Sequence, residues 1–156
     1  MKYWILPAVA VLLISACVSS GIAPKGDRIL AISVTTAEDN DYEKAFTVAK
    51  SAGMENTALD FDWKDIEPKP GEYSGELLDI ANVYYPSKGI SLEMAIRPIH
   101  TNQLAVPDDL QNVSFDSPLR KERFKRMLDY FFSRIPDVDL EAFYIGSEFD
   151  IYLDTD

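Results

Sequence analysis

Ile90-Ser91-Leu92-Glu93-Met94-Ala95-Ile96-Arg97-Pro98 is the stretch on which the fold turns. Side chains of a strand point alternately to its two faces, so Ile90, Leu92, Met94 and Ile96 share one face and Glu93, Ala95 and Arg97 the other. The same division recurs in three further segments. In Arg28–Val34, Leu30, Ile32 and Val34 oppose Ala31 and Ser33; in Asn56–Trp63, Leu59 and Phe61 oppose Ala58, Asp60 and Asp62. In Leu140–Phe149, Phe143 and Ile145 oppose Tyr144, Gly146 and Glu148. A doubly wound sheet, covered by helices on both sides, requires two apolar faces. One apolar face and one small or charged face predict instead a barrel, with helices outside and polar residues lining its lumen and mouth. The charged members drift toward the C-terminal ends of the strands, where βα-barrel active sites sit.

Helical periods separate these strands. A helix from about Asp39 to Ala52 can be terminated by Gly53 in a left-handed conformation. Pro68, Pro70 and Gly71 mark a loop, and Ser74 reads as the N-cap of a second helix. Leu77, Leu78, Ala81, Tyr84 and Tyr85 form its apolar face, with Pro86 and Gly89 as stop signals. Ser117-Pro118 is an N-cap followed by proline at the first helical position. Phe124, Met127, Leu128, Phe131 and Ile135 then repeat at helical spacing until Pro136. Strand–helix alternation implies parallel strands joined by crossovers. The expected fold is α/β, a (β/α)8 TIM-barrel of which only the first four strands and three helices are present. A complete barrel takes about 250 residues, so a chain of 156 predicts a half-barrel, residues 28–156. The alternative is a small open α/β domain, complete as it stands.

Residues 1–16 stand outside that fold. Met1–Lys2 is a short positive start, and Ile5 to Ala16 is an almost unbroken apolar run. The run is shorter than the roughly 20 residues that cross a bilayer core, but it suits a cleavable signal peptide. Its end, Leu13-Ile14-Ser15-Ala16-Cys17, resembles the bacterial lipobox. That resemblance implies cleavage before Cys17 and lipidation of its thiol; an ordinary secretory signal is the alternative. Cys17 is the only cysteine, so it cannot form an internal disulfide. Several acyl chains would anchor the protein firmly, where one binds marginally. By the same resemblance, Val18 in place of an acidic residue directs the protein to the outer membrane of a bacterial cell envelope that has one. Residues 17–27 then form a lipidated N-terminus and flexible tether.

Composition narrows the partners. The chain carries a net charge of −11, and losing the leader removes one Lys and no acid. An acidic chain with few basic clusters is a poor ligand for nucleic acid. One histidine and a lipidated cysteine leave only carboxylates for a metal, so no metal site is expected. The absence of a Gly-rich phosphate loop argues against a nucleotide cofactor.

Two motifs carry chemistry. Tyr144-Ile145-Gly146-Ser147-Glu148-Phe149-Asp150 resembles the Gly-Asn-Glu ending of strand four in clan A retaining glycoside hydrolases, which are built on (β/α)8 barrels. Asp62-Trp63-Lys64-Asp65-Ile66-Glu67-Pro68-Lys69-Pro70-Gly71-Glu72-Tyr73 resembles their loop after strand two. The resemblance spans Arg28 to Asp156. It implies that Glu148 is the general acid/base and that Ser147 stands where an asparagine binds the sugar 2-hydroxyl. It also implies a nucleophilic glutamate ending strand seven, which this sequence does not contain. Retaining hydrolysis needs two carboxyl groups about 5–5.5 Å apart, and Glu148 suits the acid role if burial or neighbouring carboxylates raise its pKa. Otherwise it is a surface carboxylate. Serine is shorter than asparagine, so the 2-hydroxyl contact is lost or bridged by water.

Other candidates surround these motifs. Asp60 and Asp62 end the second strand and are read as substrate-binding groups, not as the nucleophile. Arg97 shares a face with Glu93 and serves either an ion pair within the barrel or the substrate. His100 follows the third strand and either binds sugar or is solvated, and Trp63 either stacks on a pyranose or belongs to the core. The basic run Arg120-Lys121-Glu122-Arg123, with Lys125 and Arg126, is expected on the solvated face of its helix. The leading expectation is a cell-envelope, lipid-anchored protein of glycoside hydrolase type, acting on O-glycosidic bonds of a poly- or oligosaccharide. Without the nucleophile strand this chain alone is expected to be inactive. A non-catalytic carbohydrate-binding lipoprotein, favoured by Ser147, and another TIM-barrel enzyme remain as alternatives, because fold does not dictate function.

Overall fold

The structure is a computed structural model describing residues 26–153; the leader, Cys17 and most of the tether lie outside the described residues. Asp41 caps the first helix, α1 (Tyr42–Ser51), by accepting a 2.9 Å bond from the Lys44 N–H. Gly53, at φ 96°, turns the chain out of it, as its position predicts. The strand β1 (Asn56–Asp62) follows, then the single-turn α2 (Trp63–Ile66), the long α3 (Glu76–Lys88) and strand β2 (Ser91–His100). A two-residue strand, β3 (Gln103–Leu104), folds back antiparallel on the end of β2. Helix α4 (Pro118–Ser133) begins where the Ser117 side chain accepts from the Arg120 N–H, with Pro118 in its first turn. Strand β4 (Leu140–Ser147) and the short α5 (Phe149–Leu153) complete the described chain.

β2 lies between β1 and β4, and both pair with it in parallel. The register aligns like with like. Asp60, Ala95 and Tyr144 form one row across the sheet, and Phe61, Ile96 and Ile145 the next. A single hydrophobic cluster joins Phe61, Leu92, Met94 and Ile96 to Phe46 of α1, Leu78 and Tyr85 of α3, and Met127 and Phe131 of α4. The helices therefore cover the apolar face, and the parallel strands follow one another in chain order. Burying a Leu, Met or Phe side chain in such a layer contributes roughly 1.5–3 kcal/mol, which decides the side on which the helices pack.

Several sequence expectations require correction. Arg28–Val34 is not a strand: it makes one parallel bridge, Ala31 to Asn56. Around that rung the Leu30 carbonyl accepts from Glu55 and Asn56, and Ile32 donates to the Asn56 carbonyl. The ladder stops at that rung, and the chain runs on to Glu38–Asn40, where Asp39 and Asn40 take left-handed angles, φ 56° and 59°. The fourth strand expected over Leu140–Phe149 ends at Ser147, and Phe149 starts α5.

Helix α3 differs at both ends. Its N-cap is Gly75, not Ser74, whose N–H is already committed to the Ile66 carbonyl. Pro86 lies inside the last turn, where it forfeits one backbone bond, and the helix ends at Gly89 with φ 58°. Leu78, Ala81 and Tyr85 face the core, whereas Leu77 is 66% exposed. Gly75 is held tightly, since a Cβ there would lie 2.3 Å from the Tyr130 hydroxyl, whose ring stacks on Tyr73 at 4.6 Å. Gly75→Ala is expected to cost about 1–3 kcal/mol through overpacking, read as a lower urea midpoint. An unchanged midpoint would show that the two tyrosines shift freely.

Candidate functional site

The polar face of the sheet gathers its charges at the C-terminal ends of the strands. Arg97 is the centre: its Nε donates to Asp62 Oδ1 at 2.9 Å and its Nη1 to Asp60 Oδ2 at 3.4 Å. His100 Nδ1 lies 3.6 Å from the same Asp62 oxygen, an electrostatic contact when the ring is protonated. Asp62 and Arg97 are largely buried by this arrangement, while Asp60 and His100 keep half of their side chains open to solvent. Arg97 does not pair with Glu93. Four residues along a strand span about 13 Å, whereas the neighbouring strand lies about 4.8 Å away. Glu93 instead faces the Tyr144 hydroxyl at 3.4 Å.

β4 brings the remaining candidates to the same edge. Ser147 is the register partner of His100. Gly146 takes φ 81°, and a Cβ there would fall 1.6 Å from the Phe149 ring, so only glycine fits beneath that side chain. Glu148 follows at φ 54°, and Thr101, after His100 on the adjoining strand, has φ 58°. Left-handed conformations cost a non-glycine residue on the order of 1–2 kcal/mol, and such strain concentrates at functional sites. The Glu148 carbonyl accepts from Ile151 and so opens α5. Its carboxylate is exposed and has no hydrogen-bond or ion-pair partner among the described residues. Asp60, Asp62, Arg97 and His100 are thus one connected group, with Ser147 at the end of the next strand and Glu148 just beyond it.

Trp63 is elsewhere. It begins α2, is 1% exposed and packs edge-on against Phe124 at 5.0 Å, so its ring offers no face to a sugar. Its Nε1 donates to Glu67 Oε2 at 2.9 Å. Glu67, a residue to which sequence reasoning gave no role, is itself 1% exposed. Its other oxygen accepts from the Gly71 N–H at 2.8 Å and from Arg123 at 2.9 and 3.2 Å. Arg123 also pairs with Asp109. The available signal was the spacing of Trp63 and Glu67, one helical turn apart. The basic run is correspondingly split. Lys125 and Arg126 are solvated and pair along the helix with Asp129 and Glu122, but Arg120 and Arg123 are buried.

No protein-family model matches the chain, and no curated protein matches it. Among solved structures it is similar to a family 39 glycoside hydrolase from the gut symbiont Bacteroides cellulosilyticus WH2. That match has 19% identity and a TM-score of 0.58, over 77% of this chain and 26% of the other. It is also similar to a GH5_18 protein from Bifidobacterium longum subsp. infantis, with 9% identity and a TM-score of 0.53, over 62% of this chain and 25% of the other. The chain spans about a quarter of the length of each. The likeness is one of fold: an α/β arrangement with a parallel sheet, shared with part of these glycoside hydrolases.

Proposed function

We propose that residues 28–156 are the first half of a (β/α)8 barrel in a protein of glycoside hydrolase type that acts on O-glycosidic bonds of a poly- or oligosaccharide. The observation that carries this reading is the charged group on the open sheet face. Asp60, Asp62, Arg97 and His100 join at the C-terminal strand ends, and the backbone-strained Glu148 follows directly after β4. In this reading Asp62 holds the Arg97 guanidinium still. Asp60 and His100, half open to solvent, supply an acceptor and a donor for sugar hydroxyls, and the Ser147 hydroxyl replaces the amide of the clan motif. Glu148 delivers the proton to the departing oxygen. The second carboxyl group would come from a later strand of the same barrel.

The test is calorimetric titration of neutral oligosaccharides into a longer protein carrying this segment. Asp60→Ala should weaken binding several-fold without unfolding the chain, because Asp60 is exposed. Failure of every oligosaccharide to bind would remove the carbohydrate reading. Ser147 favours a second reading, a binding protein that has lost catalysis, in which ligands bind but are not cleaved.

The export signal belongs to the same proposal. Residues 1–16 are cleaved as a lipoprotein signal peptide, and lipid on Cys17 anchors the protein in the cell envelope. Among the described residues no helix is long and apolar enough to cross a membrane. Cys17→Ser is expected to move the protein from the membrane fraction to the soluble one, because the lipid has no other thiol to join. Retention of that variant on membranes after a high-salt wash would count against lipidation.

A further inference from the structure

On the helix side of the sheet, away from Asp60 and Arg97, an open cleft of about 180 Å³ lies between the end of β4 and the start of α4. Phe115, Phe124, Phe149 and Ile145 make its apolar wall, and its charged lining residues are Arg120 and Lys121. Ile145 shares a sheet row with the buried Phe61 and Ile96, yet it is 52% exposed. Among the described residues no carboxylate lines the cleft, in a chain whose net charge is −11.

Arg120 is the unusual member. It is 3% exposed, donates to the Leu110 carbonyl, and has a buried Nε without a hydrogen-bond partner. The Phe115 ring covers its guanidinium at 4.2 Å. Among the described residues no carboxylate lies within ion-pair distance of it. A buried cation is ordinarily paired, and burial pulls this guanidinium below its usual pKa. Lys121, on the rim, is exposed.

We propose that this cleft binds a small amphipathic anion, an aromatic or aliphatic carboxylate or sulfonate. Its apolar body lies among Phe115, Phe124, Phe149 and Ile145, and its charged head is drawn to Lys121 and Arg120. At about 180 Å³ the cavity is smaller than drug-sized ligand sites, usually about 300–1,000 Å³, so it takes only part of a small anion's apolar body and leaves the rest at the open mouth. The Phe115 ring, at the cleft wall, lies over the Arg120 guanidinium at 4.2 Å, so the anion's head is held chiefly by Lys121 at the rim. This site lies on the opposite face of the sheet from the proposed sugar site.

The probe is 8-anilinonaphthalene-1-sulfonate, an aromatic anion, with Nile red as a neutral aromatic control. Both are titrated into the protein from Cys17 onward, in which Trp63, a lining residue of the cleft, is the sole tryptophan donor. Saturable quenching of Trp63 by the sulfonate at one site is expected, weakened roughly fivefold by Lys121→Glu, the scale of reversing one exposed charge. High salt should weaken it likewise, and Nile red should not respond to Lys121→Glu. Arg120→Met should weaken binding less than Lys121→Glu does. Because Arg120 is buried and that variant risks unfolding, the exposed Lys121→Glu substitution keeps the test decisive. Equal sulfonate affinity in Lys121→Glu, or Nile red bound as tightly as the sulfonate, would overturn the proposal. Quenching that disappears as sedimentation reports a dimer would overturn it too, by assigning the cleft to a second copy of the chain.

Discussion

Arg123→Leu is expected to remove about 3–5 kcal/mol of folding stability, the loss typical of a buried ion pair broken on one side. Arg123 gives two nitrogens to Glu67 Oε1, and Glu67 is almost completely withdrawn from water. Without the guanidinium, the carboxylate keeps only the Trp63 indole and the Gly71 N–H as donors. An under-compensated carboxylate would then sit in the layer between α2 and α4. Asp109, the second partner of Arg123, is more exposed, and losing that contact matters little because exposed pairs contribute at most about 1 kcal/mol. Since a domain is stable by only about 5–15 kcal/mol, the single substitution threatens folding outright. The double variant Glu67→Gln/Arg123→Leu should recover part of the loss, because it removes the buried charge while the amide oxygen still accepts from one of the two remaining N–H groups. Urea unfolding of the three proteins measures this directly. A loss below about 1 kcal/mol in Arg123→Leu would mean that the remaining donors and water satisfy Glu67 unaided.

Glu148→Gln, in a longer protein that completes the barrel, is expected to lower turnover of substrates with poor leaving groups by about 10²–10⁴-fold, the range of general-acid catalysis. The amide matches the carboxyl in size but has no acidic proton to give. Substrates with activated aryl leaving groups should suffer less at the cleavage step, since their oxygen departs with little help. Glu148 is exposed and its carboxylate has no partner among the described residues, so the substitution should not disturb folding, and circular dichroism checks this. Its left-handed backbone tolerates glutamine as it tolerates glutamate. Unchanged turnover on unactivated glycosides would place the acid elsewhere.

These two residues differ in how far the sequence exposes them. Glu148 stands in a short motif at the end of an alternating strand, legible from neighbours one and two positions away. The same local reading finds the helix start at Ser117-Pro118 and the turn at Gly53. It also finds the division of β1 and β2 into an apolar and a charged face, because spacing of two or four residues decides which side chains share a surface. It fails for Arg28–Val34, whose alternation is that of a strand. Whether a ladder forms there depends on where the following residues lead the chain. It fails again for Trp63, whose role depends on the depth at which α2 packs.

By itself, then, the sequence determined the strand and helix alternation, the parallel class of the sheet and the face that helices cover. All of these follow from local periodicity and from apolar burial that is indifferent to partner identity. Only the tertiary structure decided the polar pairings. Arg97 lies 35 residues from Asp62, and Arg123 lies 56 from Glu67. A charge–charge contact acts over a few ångströms and has no period along the chain. The choice of Asp62 over Glu93 for Arg97, and the burial of Arg120 and Arg123 within a run that reads as solvated, appear only when β1 is set beside β2 and α4 against the turn at Glu67.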